Sequence, residues 1–186
     1  MDYGKILKEY SKNGDNIKIR YPIYNDAQDL METINFLAGE DNYMKYGEDS
    51  KVNFEEEIEW LSQKIKNNEL KRGLYIVAEV NNKVRGGVNI RKRSKFRSHI
   101  GKFGIALHKD IRGKGIGTTI SEISFKILEK EYDVEIIVLD VHQDNDKAIK
   151  FYKNLGFEKV GVIKKALLVD EEEGEYKDYI KMEKKL

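Results

Sequence analysis

The chain has 186 residues, 40% of them hydrophobic and 36% charged, which gives enough apolar material for a core and excludes a disordered chain. Lys and Arg total 34 against 33 Asp and Glu, so no global field draws the protein to nucleic acid or to an acidic membrane. With no cysteines, disulfide scaffolds, thiolate zinc sites and cysteine nucleophiles are excluded, and the histidines (His99, His108, His142) lack metal-ligand spacing, so no metal is expected.

In chain order, the polar stretch 1–16 reads as an N-terminal extension without a signal-peptide apolar region. Ile17-Lys18-Ile19-Arg20-Tyr21 alternates and predicts a first strand. Asn25 or Asp26 can cap a helix running to about Leu37, and residues 39–53 read as loop. Phe54, Ile58, Leu61 and Ile65 recur at helical spacing and predict a second helix over about 54–67. Leu74–Val80 and Lys83–Ile90 are strands joined by the tight-turn pair Asn81-Asn82. Arg91–Arg97 is a basic hairpin end, and Ile100–His108 is the next strand. A glycine-rich loop at 113–117 opens a helix reaching about Lys130. Glu135–Val141 is a buried-type strand, and Asn145–Leu155 is a short helix ended by Gly156 as a left-handed cap. Phe157–Leu168 and Tyr176–Met182 are strands about a turn at 170–174. The order predicts a single α/β domain over 1–186, its core at about 17–182, with antiparallel hairpins first and a strand–helix–strand unit later.

Chemistry concentrates where the strand ending in Leu107-His108 leads through Arg112-Gly113-Lys114-Gly115-Ile116-Gly117-Thr118 into a helix. Glycines let the backbone approach a ligand, and the first helix amides are unpaired donors at the positive end of the dipole. That arrangement suits phosphate or pyrophosphate. A Walker A loop does not fit, because Gly113-Lys114 is followed by Gly115. A dinucleotide fingerprint fails at Thr118.

Arg112-Gly113-Lys114-Gly115-Ile116-Gly117 resembles the R/Q-x-x-G-x-G/A signature of the GCN5-related N-acetyltransferases (GNAT). Asn145 to Phe157 resembles that family's N-x-x-A-x-x-[FL]-Y-x-x-x-G-F block, and the element order over 17–182 is also the family's. The resemblance implies a mixed, mostly antiparallel sheet of about seven strands flanked by about four helices, splayed between the fourth and fifth strands. It implies acetyl-coenzyme A as acetyl donor. Its pyrophosphate would lie on the amides of Gly113, Lys114, Gly115, Ile116, Gly117 and Thr118, in the signature that Arg112 begins. Its pantetheine arm would lie on backbone groups of Ile105, Ala106 and Leu107, with an amide near Leu107 polarising the thioester. Asn145 corresponds to a cofactor contact in many members and equally reads as a helix cap. Tyr152 corresponds to the tyrosine that protonates the departing thiolate, and equally reads as a packing aromatic. The carboxylate that many relatives carry on the central strand is missing, which leaves Glu79, His99, His108, Asp140 or a water chain as the base.

Residues 24–70 correspond to the variable acceptor-shaping helices. Their acidic residues (Glu40, Asp41, Glu48, Asp49, Glu55, Glu56, Glu57, Glu59) would suit a cationic amine, although a solvated helix face explains them as well. The expected reaction is direct acetyl transfer in a ternary complex to a primary amine: a small molecule, a polyamine or a peptide N-terminus. The alternatives are a non-catalytic acyl-coenzyme A binding module, which would not need Tyr152, and nucleotide binding by the same loop. A cytoplasmic location, no membrane partner and a compatible homodimer complete the expectation. The basic run Arg91–Arg97 reads as a solvated hairpin end, and nucleic acid is not an expected partner.

Overall fold

The computed structural model describes residues 3–40, 51–170 and 175–186. Asp41, Glu48, Asp49 and most of the turn expected at 170–174 lie outside them. The strands are β1 (Ile6–Lys12), β2 (Asp15–Arg20), β3 (Gly73–Val80), β4 (Lys83–Lys92), β5 (Ile100–Leu107), β6 (Ile136–His142), β7 (Glu158–Asp170) and β8 (Glu175–Lys185). The helices are α1 (Ala27–Ala38), α2 (Phe54–Glu69), α3 (Ile116–Glu131) and α4 (Asp146–Asn154). The eight strands form one sheet in the order β1-β2-β3-β4-β5-β6-β8-β7.

The turns follow from local chemistry. Asn81 and Asn82 both take positive φ, 52° and 64°, as a two-residue hairpin with primed-turn geometry needs. Asn53 caps α2 by accepting from the Glu56 amide at 3.0 Å, and Glu56 accepts from the Asn53 amide at 2.9 Å. Gly156 ends α4 at φ 86°.

The sheet has one strand more than expected. The N-terminal extension contains β1, which pairs antiparallel with β2 across Asn13-Gly14 (φ 52° and 84°). Asn-Gly is a strong two-residue hairpin signal, and it is what turns these residues back onto the sheet.

Alternation sends the two sides of each strand to different partners. Ile76, Val88, Ile90, Phe103, Ile137 and Leu139 pack with Ile116, Ile120 and Leu128 of α3 in the main core. On the other face Tyr75, Val77 and Val84 pack with Ala27 and Leu30 of α1 and Leu61 and Ile65 of α2.

All strand neighbours are antiparallel except β5 and β6. That parallel pair is registered only at Ile100↔Ile136, Gly101↔Ile137 and Lys102↔Val138. Beyond Lys102 both strands continue, to Leu107 and His142, without pairing to each other. The expected splay is therefore present, between the strands expected as fourth and fifth. Among the described residues no helix is long and apolar enough to cross a membrane.

Candidate active site

The open end of the split coincides with the glycine loop. β5 ends at Leu107, a 3-10 turn follows at Lys109–Ile111, and α3 begins after Gly115. Gly115 sits at φ 80°, in the left-handed region where a side chain is strained. No side chain caps α3, in contrast to α2 and α4, which Asn53 and Asn145 cap. Among the described residues the first amides of α3, through Thr118, have no acceptor, whereas the Thr119 amide bonds back to the Gly115 carbonyl at 3.1 Å. Gly113, Lys114, Gly115, Ile116, Gly117 and Thr118 are thus gathered as a donor cradle at the positive end of a 16-residue helix.

The N-terminal hairpin reaches this cradle, which the sequence reasoning missed. Lys114 Nζ donates to Asp15 Oδ2 at 2.7 Å. The hydrogen bond from Lys114, with a second from Asn81, holds the Asp15 carboxyl below its ordinary range. A Cβ added to Gly115 would lie 3.1 Å from Lys12 Nζ, so a second ammonium stands at the loop. The Asn13-Gly14 pair was the signal that could have placed both residues.

Along β5 the backbone alternates between its neighbours. The His108 amide donates to the Arg85 carbonyl at 2.8 Å, and Ala106 pairs with Gly87. A Cβ on Gly86 would lie 2.1 Å from the Ala106 oxygen, so Gly86, at φ 121°, is the residue that lets β4 come this close. The Ala106 carbonyl is therefore turned to β4. Ile105 and Leu107 are the residues whose backbone groups face the unpaired gap.

Arg112 is engaged at both ends of its guanidinium. Its Nε donates to the Leu107 carbonyl at 2.8 Å, and its Nη2 donates to Glu40 Oε2 at 2.7 Å. The guanidinium thus ties a carboxylate just past the end of α1 to the last residue of β5, and holds no open position over the loop. Sequence distance hides this contact.

Tyr152 stands on α4 among Phe103, Phe151 and Phe157, with ring centroids 6.2, 5.4 and 5.9 Å away. Burial pushes its hydroxyl up to about 12, so it is protonated at neutral pH. Asn145 Oδ1 accepts from the Ala148 amide at 3.1 Å, which satisfies the capping reading. Phe151 lies against Gly117, where an added Cβ would meet its ring at 3.4 Å, so α4 is packed on the start of α3.

The candidate bases separate by position. Glu79 is bound by Arg20 Nε at 2.7 Å and Lys18 Nζ at 3.2 Å, away from the split. His99 lies at the paired end, where its carbonyl accepts the Glu135 and Ile136 amides. His108 is buried against Phe36 with centroids 4.2 Å apart, and burial lowers its basicity. Asp140 pairs with Lys102 at 2.8 Å across the split. Among the described residues no group of His, Asp and Glu could hold a metal ion.

Comparison with known proteins points one way. A model described as the acetyltransferase (GNAT) family matches residues 34–157. An N-alpha-acetyltransferase of Sulfurisphaera tokodaii is 28% identical over 165 residues, covering 83% of this chain and 87% of that protein. An N-alpha-acetyltransferase of Saccharolobus solfataricus is 43% identical over 60 residues, 32% of this chain and only 36% of that protein. The structure of yncA from Salmonella typhimurium with its cofactor acetyl-CoA shares the fold, with a TM-score of 0.76 at 18% identity, covering 92% of this chain and 94% of that one.

Proposed function

Because the chain belongs to the acetyltransferase (GNAT) family, we propose that it moves the acetyl group of acetyl-coenzyme A to the α-amine of a peptide by direct attack. The observation that carries this reading is the coincidence, at one end of β5, of the strand split and the uncapped start of α3. One opening takes an extended arm and the other takes phosphate. The relatives named N-alpha-acetyltransferase support the choice of a peptide amine.

The donor, when bound, supplies a thioester carbonyl open to attack. The amides of Gly113, Lys114, Gly115, Ile116, Gly117 and Thr118 would hold its pyrophosphate, with Lys12 and Lys114 adding charge. Ile105 and Leu107 would pair with its arm, and the Leu107 amide would polarise the reacting carbonyl. Asn145, which caps α4, would also contact the donor. The acceptor arrives as an ammonium, which the Glu40 carboxylate, fixed by Arg112, attracts and relieves of a proton through water. The neutral nitrogen attacks the carbonyl carbon, and the carbon–sulfur bond breaks with its electron pair passing to sulfur. Tyr152 gives sulfur its proton. The apolar surroundings that weaken Tyr152 as an acid also raise the basicity of the departing thiolate, which keeps the two matched.

Calorimetric titration with acetyl-coenzyme A beside ATP and NAD tests the donor site. Saturable binding of acetyl-coenzyme A alone is the expected result. Equal binding of ATP or NAD, or no binding of acetyl-coenzyme A, overturns it.

A further inference from the structure

A cationic recess lies at the other end of β5. A recess of about 620 Å3 is formed by the end of β4, the β4–β5 connection and Lys102, and six of its eight lining residues are cationic. Among the described residues Arg91, Arg93, Lys95 and Arg97 have no carboxylate partner. Such a concentration of one sign in a chain of net charge +1 is local, and it repels itself unless an anion is supplied.

The connection is a built structure. The Arg93 amide still pairs with the Ile100 carbonyl at 2.9 Å, continuing the β4–β5 ladder past Lys92. A 3-10 turn at Lys95–Arg97 is closed by the Ser98 amide on the Lys95 carbonyl at 3.0 Å. Lys95 takes φ 54°, in the left-handed region, at the start of this turn. The result is that Phe96 is 97% exposed, the most exposed large apolar side chain among the described residues, and no ring packs on it.

Cations alone would suit any anion. An exposed aromatic face set among them suits one whose charges alternate with flat apolar rings. We propose that this recess binds a single-stranded nucleic-acid segment, its phosphates on Arg91, Arg93, Lys95 and Arg97 and one base stacked on Phe96. This revises the expectation from sequence, where seven consecutive residues gave no sign that they fold around one hollow. On α2, Lys64 has its basicity lowered by burial and then by Arg91, as a crowded positive region requires. Lys102 is five positions from Leu107, or about 17 Å along a strand, so an occupant of the recess leaves the open end of β5 accessible.

Fluorescence anisotropy of labelled oligo(U) and oligo(dT) of roughly 12 nucleotides, titrated with the full chain, tests the proposal. At least one oligomer is expected to bind below about 100 µM, with affinity falling steeply between about 50 and 200 mM salt. The tighter of the two identifies the sugar. Phe96→Ala is expected to weaken binding at least about fivefold. Arg93→Gln with Arg97→Gln should lower the salt slope by about 1.4, or about 0.7 for each phosphate contact removed. Acetyl transfer to a short peptide should be unchanged in both variants. No binding of either oligomer overturns the proposal. So does binding that Phe96→Ala leaves intact while poly-glutamate binds as tightly, which would mark a surface for acidic protein.

Discussion

Lys102 Nζ donates to Asp140 Oδ2 at 2.8 Å, and this ion pair crosses from β5 to β6 where their backbone pairing stops. The side chains tie the strands together at the point where the ladder no longer does. The pair is partly exposed, with side-chain accessibilities of 43% and 22%, so its Coulomb energy is screened. Lys102→Met is expected to lower unfolding free energy by less than about 1 kcal/mol in urea denaturation. The same variant should raise the KM for acetyl-coenzyme A severalfold with kcat unchanged, because the width of the gap loses its tie.

Tyr152→Phe removes only a hydroxyl from a cluster of aromatic rings, so packing survives. A loss of kcat of about 100-fold, with the calorimetric affinity for acetyl-coenzyme A unchanged, is expected of a lost general acid. Since burial holds the wild-type hydroxyl up at about 12, kcat should show no alkaline fall up to about pH 10. An alkaline limb that disappears in the Phe variant would instead place the Tyr152 titration much lower.

Glu40 and Arg112 act as a pair at the end of β5, with their closest contact at 2.7 Å. Glu40→Gln should reduce kcat/KM for a peptide acceptor at least tenfold while leaving the KM for acetyl-coenzyme A unchanged. Steady-state kinetics with both substrates varied separates the two effects.

The phosphate cradle can be tested from its far side. Lys12 lies outside the matched family segment, residues 34–157, yet its ammonium stands at Gly115. Lys12→Ala should raise the KM for acetyl-coenzyme A by about three- to tenfold, and the gap between wild type and variant should narrow as salt rises. Gly115→Ala should weaken donor binding further, since an alanine in the left-handed region costs about 1–2 kcal/mol.

Glu57 gives a pH prediction independent of catalysis. It is buried on α2, and burial pushes its carboxyl from 4.5 up to about 7. A carboxyl with a raised folded-state pKa binds its proton more tightly in the native protein. Its contribution is therefore fully present below the unfolded value and is lost as pH rises from 4.5 through about 7. Glu57→Gln should flatten stability over that range and raise unfolding free energy at pH 8 by about 1–3 kcal/mol, measured by denaturant titration.

Local chemistry made much of this legible in the sequence. Asn81-Asn82 and Gly156 act through their own backbone, and each takes the positive φ that its residue type accommodates. The order of the elements carried the mixed sheet, because a strand–helix–strand unit set beside hairpins leaves one parallel pair, while the split came from the family resemblance. Contacts that join distant positions were not legible. Nothing near Arg112 announces Glu40, which is 72 positions away. Nothing near Lys114 announces Asp15, which is 99 positions away. β1 was missed although Asn13-Gly14 marks its hairpin, because its polar residues belong to an edge strand with little to bury.

The most direct test is thiol release coupled to mass spectrometry of a peptide incubated with acetyl-coenzyme A and the enzyme. One thiol should appear for each acetyl group added, the label should sit on the α-amine, and Tyr152→Phe should slow both equally. An acetyl-coenzyme A complex that forms but acetylates no amine, or a rate indifferent to Tyr152→Phe, would contradict the account.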